Sequence, residues 1–152
     1  VDAVVHSVGT LTEAPTEGVT FERVNGDAAV LAALEAERAG VDAFVFLSAA
    51  AKPPGIRTAY LTAKRRAEAS VADLDLDVVT LRPGPVYGEG QPHLPGVVDR
   101  VLRFAASAPP IASRLGEARP LSVDTVARAT YRAALDPGER LLDVADIREL
   151  AG

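Results

Sequence analysis

Three short apolar runs punctuate the first half of the chain, and segments of mixed polarity separate them. Ala3 to Val8 carries Val4 and Val5 at its centre, Ala43 to Leu47 is apolar throughout, and Asp77 to Leu81 continues as Val-Val-Thr-Leu. Runs that are apolar continuously, not alternately, belong to strands buried on both faces, as in a parallel sheet covered by helices. After the first run comes a polar loop with Pro15, Glu17 and Gly18. The segment Asp27 to Ala39 then predicts a helix: Val30, Leu31 and Leu34 fall at spacings of three and four on one face, and Gly40 supplies the stop. Pro53-Pro54-Gly55 marks a loop, Thr58 to Leu74 a second helix, and Pro83-Gly84-Pro85 closes the third run. Strand, helix, strand, helix, strand is the order of right-handed βαβ units, so the chain reads as α/β. From Gln91 onward the texture changes: Leu94 to Ala106 and Val123 to Leu135 read as helices, a short strand is expected at Leu141 to Val144, and Asp146 to Leu150 starts a final helix.

Composition narrows the class. A chain of 152 residues, 48% hydrophobic and 24% charged, can bury one proper core. No apolar run reaches the roughly 18 residues needed to cross a membrane. The absence of cysteine excludes disulfides, thiol nucleophiles and cysteine-ligated metals, and a cytoplasmic setting is the expectation. A net charge of −5 argues against a general nucleic-acid binder. The densest basic cluster, Lys64-Arg65-Arg66 with Glu68 nearby, reads as a solvated helix face. Two histidines with no carboxylate at ligand spacing predict no metal site. Of the 16 basic residues only Lys52 and Lys64 are lysine, a composition typical of high-GC coding or of adaptation to salt. The opening VDAVVHSVGT has neither a starting Met nor a signal-peptide pattern and begins inside a strand-like run, which leads us to expect a cut from a longer chain.

The residues best suited to chemistry are Tyr60 and Lys64. Four apart on a helix, they share a face, where a cation can lower a phenol's pKa and ready it for proton transfer. By itself this spacing is common. Its context is not: VDAVVHSVG, VNGDAAVLAALEAERAGVDAFVFLSA, YLTAKRRAE and DVVTLRPGPVYGEG follow one another in an order that resembles the extended short-chain dehydrogenases/reductases, which include the NAD-dependent sugar epimerases and dehydratases. A fifth block, RPLSVDTVARATYRAAL, resembles a later segment of that family near its substrate lobe.

The resemblance implies a partial Rossmann-type, doubly wound parallel sheet, its C-terminal portion, with a small C-terminal substrate lobe. Residues 1–90 would be the later part of an NAD(P)-binding domain, and 91–152 the substrate lobe and closing helices of the same compact unit. It also implies roles. Tyr60 would be the general acid/base, with Lys64 holding the phenol and the nicotinamide ribose. Pro83, Gly84, Pro85 and Val86 would line the nicotinamide, while His6, Ser7, Val8 and Gly9 would flank the ribose and pyrophosphate, with Leu47 beside them. Tyr87 and His93 would meet substrate, although His93 reads more readily as a surface-loop residue. Asn25 is either a helix cap or a site residue. Ser48 is either the third catalytic hydroxyl, binding the reacting oxygen, or a satisfier of a strand-end backbone group. The cofactor would be NAD ahead of NADP, the partner a small molecule, and the assembly a homodimer by family analogy.

Two departures stand out. Ala49, Ala50 and Ala51 follow Ser48, and the interval to Tyr60 is shorter than in the epimerases. In this the chain is more similar to atypical members related to the respiratory complex I accessory subunit, some of them nucleotide binders without established turnover. The phosphate-binding Gly-x-x-Gly-x-x-Gly string is also missing; Gly84, Gly88 and Gly90 follow the third strand in the wrong order. In the family that loop belongs to the first strand-turn-helix, whose helix N-terminus holds the pyrophosphate. These residues alone are therefore expected to bind nucleotide poorly. An unrelated flavodoxin-like module would share the alternation but not the ordered blocks.

Overall fold

The computed structural model describes residues 1–88, 96–108, 110, 114–138 and 140–152. Its strands are β1 (Ala3–His6), β2 (Ala43–Leu47), β3 (Asp77–Leu81), β4 (Val86–Tyr87), β5 (Leu121–Ser122) and β6 (Arg140–Leu142). Its helices are α1 (Ala28–Arg38), α2 (Ala59–Ala72), α3 (Gly96–Ser107), α4 (Val123–Leu135) and α5 (Val144–Ala151). Four strands form one parallel sheet in the order β1-β2-β3-β6, and β4 pairs with β5 in a second, two-stranded parallel sheet. Among the described residues no helix is long and apolar enough to cross a membrane.

Both faces of the two central strands, β2 and β3, are buried, which is why they carry continuous apolar runs. Successive side chains point to opposite faces. Phe44, Phe46 and Val78 pack with Ala29, Ala33 and Ala36 of α1 and Ala67 and Val71 of α2. Val45, Val79 and Leu81 pack on the other side with Val126, Ala129 and Ala133 of α4 and Val144, Ile147 and Ala151 of α5. The result is a three-layer α/β sandwich of Rossmann type.

Three local expectations need correction. The core face of α1 is not the one bearing Leu31 and Leu34, which are 62% and 37% exposed; it is the alanine face, with Ala29 and Ala33 fully buried. Phe44 and Phe46 fill the layer from the sheet side, so the helix facing them must offer small side chains. The chain enters α1 through a π-helical stretch, Glu22–Asp27, where a loop was expected. That wider turn lies against α2, and a Cβ on Gly26 would stand 2.7 Å from Arg66 Nη2 and 3.4 Å from the Ala63 carbonyl. The last strand ends at Leu142, not Val144. Asp143 accepts hydrogen bonds from the Ala145 and Asp146 amides, while Asp146 accepts from the Asp143 amide; this capping box starts α5 early.

Candidate functional site at the carboxyl edge of the sheet

In open parallel α/β sheets, ligands bind beyond the carboxyl ends of the strands. Here β2 and β3 stay zipped together as they leave the sheet. The Ser48 amide donates to the Leu81 carbonyl at 2.8 Å and the Ala50 amide to the Pro83 carbonyl at 2.9 Å. The loop after β2 and the Pro83-Gly84-Pro85 turn after β3 therefore form one rim.

Tyr60 and Lys64 lie one helical turn apart on α2 and are both buried, at 8% and 5% exposure. Lys64 Nζ donates to the Leu47 carbonyl at 2.9 Å and lies 5.2 Å from the centre of the Phe46 ring. Burial lowers its pKa from 10.5 to about 8, against the opposing pull of the Glu68 charge. The Tyr60 ring meets Phe21 edge-on at 5.7 Å and packs in a cluster with Ala49 and Ala63. Burial raises its phenol above the usual 10.0, and the charge that works against this is Arg65, not the Lys64 that the spacing suggested. Lys64 is turned instead toward the end of β2.

A second group of side chains gathers around that amine. An added Cβ at Gly9 would stand 2.9 Å from Asn25 Oδ1 and 3.6 Å from Lys64 Nζ, so the backbone approaches closely and only glycine fits. Asn25 is 1% exposed and no helix cap: its Oδ1 accepts from the Thr10 amide at 2.7 Å and its Nδ2 donates to the Thr10 carbonyl at 2.9 Å. It binds the loop after β1 as a neighbouring strand would, and the π-helical stretch positions it there. His6 is 6% exposed, stacks on Phe44 at 6.2 Å between ring centres and touches Phe46 at 5.8 Å. Burial and the Lys64 charge push its imidazole below the usual 6.5. Its Nε2 is buried without a hydrogen-bond partner among the described residues. Ser7, Val8 and Gly9 remain exposed beyond it.

The structure thus brings His6, Gly9, Asn25, Leu47 and Lys64 together, with Tyr60 one turn earlier on the same helix. Pro83 joins through the Ala50 amide. Gly84 is pressed against the backbone of Glu117 and Arg119, where a Cβ would collide with both carbonyl oxygens. Pro85 accepts from the Leu121 amide at 2.9 Å, and Val86 and Tyr87 pair with Leu121 and Ser122. The Tyr87 ring lies 5.5 Å from the Arg103 guanidinium. His93 lies outside the described residues. Among the described residues no three His, Asp or Glu side chains are grouped to hold a metal ion.

One set of residues was misread from the sequence. The cluster expected as a solvated helix face is half interior: Lys64 and Glu68 are buried, and the Arg65 side chain is 31% exposed. Only Arg66 faces outward, paired with Asp27 at 2.5 Å. Arg65 and Arg82 both bind the Glu68 carboxylate. Burial alone would raise that carboxyl, but hydrogen bonds from Arg82 and Ser48 and the two guanidinium charges bring it below its usual 4.5. The available signal was the Arg65/Glu68 spacing of three with Arg82 at the end of an apolar strand.

No family model matches the chain. The chain is 29% identical over 146 residues to a ceramide reductase of Caulobacter vibrioides, covering 95% of this chain and 44% of that protein. The structure of a putative NAD-dependent epimerase/dehydratase from Bacillus halodurans is 27% identical, with a TM-score of 0.50, over 60% of this chain and 44% of its own. MoeE5, solved with UDP-glucose and NAD, superposes over 99% of this chain and 61% of its own at a TM-score of 0.64 and 20% identity, a likeness of fold. The chain spans about half the length of these relatives.

Proposed function

We propose, from its likeness to the extended short-chain dehydrogenase/reductase family of NAD-dependent epimerases and dehydratases, that the chain carries the proton-transfer half of an NAD-linked oxidoreductase or sugar-nucleotide epimerase/dehydratase site. The observation that carries the reading is the buried Tyr60 and Lys64 pair on α2 at the carboxyl edge of the sheet, with the amine at about 8. The neighbouring residues suit a dinucleotide. Gly9 leaves a bare backbone beside Asn25 and Lys64, His6 Nε2 is an unspent polar atom, and only one of the three N–H donors of Lys64 is given to Leu47. NAD is the favoured cofactor because MoeE5 holds it. When bound, the nicotinamide supplies hydride acceptance and return. Tyr60 gives and takes the proton at the substrate oxygen. Lys64, held at the end of β2 by the Leu47 carbonyl, would supply positive charge and a hydrogen bond to a ribose hydroxyl. Pro83 and Gly84 exclude water from the rim. Ser7, Val8, Pro85 and Val86 extend the cofactor surface, and Tyr87 faces the substrate end.

A second reading has its own support. Ser48 is 6% exposed, accepts from Arg65 Nη1 at 3.3 Å and bonds Glu68, so its hydroxyl is engaged in the fold, and alanines follow it. A dinucleotide-binding protein without turnover would look this way. A cofactor-linked absorbance assay separates the two, run on the complete gene product with UDP-sugars and with long-chain keto lipids, the latter suggested by the ceramide reductase. The catalytic reading predicts NAD- or NADH-dependent turnover of at least one class. Tight nucleotide binding with no turnover across both establishes the second reading instead.

A further inference from the structure

The Arg65 guanidinium is planar and offers five donors, and two of its nitrogens reach four acceptors on the Ser48–Ala50 loop and on Glu68. Nη2 donates to the Ala49 carbonyl at 2.8 Å and to the Ala50 carbonyl at 3.1 Å. Nη1 donates to Glu68 Oε1 at 2.6 Å and to Ser48 Oγ at 3.3 Å. Glu68, with a side chain 8% exposed, is held from its other side by Arg82, whose Nε lies 3.1 Å from Oε1 and 3.2 Å from Oε2 and whose Nη2 also binds Oε2. Arg82 stands directly after β3, and its amide donates to the Leu142 carbonyl of β6 at 2.9 Å. One cluster thus joins α2 to the ends of β2, β3 and β6.

We propose that Arg65 is a positioning residue: through Glu68 and Arg82 it clamps the Ser48–Ala50 loop to α2 and thereby fixes the distance between Tyr60 and the rim where a substrate would lie. Ala49, which Arg65 grips through its carbonyl, packs in the cluster that holds the Tyr60 ring. The zipper from Ala50 to Pro83 passes the same restraint to the turn after β3. No surface pair would do this, since exposed ion pairs hold little and are screened. Arg65 is suited because a rigid fork bridges two carbonyls, a hydroxyl and a carboxylate at once; the lysine head group is a single point. Its charge also acts on the phenol. The charged groups near Tyr60 are Lys64, Arg65 and Glu68 on α2 itself, Arg82 behind Glu68, and the Glu13–Arg57 pair beyond Phe21, where Glu13 Oε1 accepts the Phe21 amide at 3.0 Å. The inference rests on the proposed function only for its meaning in catalysis. Its test needs no substrate or cofactor, so the two fail separately.

The test is residue-resolved amide exchange on the full chain with Arg65→Lys and with Arg65→Met. Losing the fork should speed exchange at Ser48 and Ala50 roughly tenfold in both variants, the effect of about one charge-assisted hydrogen bond, and leave Val45 and Val79 in the sheet unchanged. Tyr60 ionisation is followed as tyrosinate absorbance, with Tyr60→Phe as the blank, in a chain that has no Trp and three Tyr. It should move to higher pH in Arg65→Met and stay in place in Arg65→Lys. If Arg65→Met fails to fold, Arg65→Lys decides by exchange alone. Unchanged exchange at Ser48 and Ala50, or acceleration shared equally by Val45 and Val79, overturns the clamp. A Tyr60 transition unmoved in Arg65→Met overturns its link to the phenol.

Discussion

Lys64 sits where a charge is costly, and that cost has a sign. Its folded pKa of about 8 lies below the usual 10.5, so between those values the unfolded chain holds a proton that the folded chain has released. Stability from this group therefore rises with pH through that window. Tyr60 works the other way, because its raised phenol ionises more readily once unfolded, and it begins to offset the gain above about pH 10. Thermal unfolding at pH 7.5 and 9.5 should show the rise in the native chain, and Lys64→Met should flatten it. At pH 7 that variant should also be more stable by about 1–2 kcal/mol: a charge penalty on the order of 3 kcal/mol disappears, less the lost bond to Leu47. A Lys64→Met chain less stable than the native one at pH 7 would show that the amine is there for the fold. The Tyr60–Lys64 pair was legible from its spacing and context; the shielding of the phenol by burial was not, because nothing in five residues of sequence reports how deep a helix face lies.

Elements were legible where one rule governed them. Continuous apolar runs gave β2 and β3 their bounds, and α4 runs over the whole of Val123–Leu135 as its pattern predicts. The short strands β4 and β5 have two residues each and no period to detect. On α1 the large residues misled, since leucine spacing marks an apolar stripe without saying what the opposite layer leaves room for. The contrast is measurable. Ala33→Leu should destabilise the chain by about 1–3 kcal/mol, because the new side chain has no space before Phe44 and Phe46. Leu31→Lys should change stability by less than about 0.5 kcal/mol. Denaturant unfolding checks both, and a Leu31→Lys chain that loses more than Ala33→Leu would reverse the assignment of the faces.

At the scale of the molecule, three chain segments converge on one edge. The loop after β1 brings Gly9, the π-helical stretch brings Asn25, and α2 brings Tyr60 and Lys64 to the ends of β2 and β3. The α/β class with a parallel sheet followed from the alternation of strands and helices. The Arg65–Glu68–Arg82 cluster did not, because charges in sequence are read as solvated until a structure buries them. The sequence has no glycine string for a pyrophosphate, and a calorimetric titration of the 152-residue chain with NAD should accordingly show weak binding or none. The most direct measurement is the turnover of the complete gene product and its Tyr60→Phe variant, with nucleotide occupancy measured alongside. Our account predicts a fall in kcat of about a hundredfold or more with nucleotide still bound. Turnover at the native rate without the Tyr60 hydroxyl would contradict it.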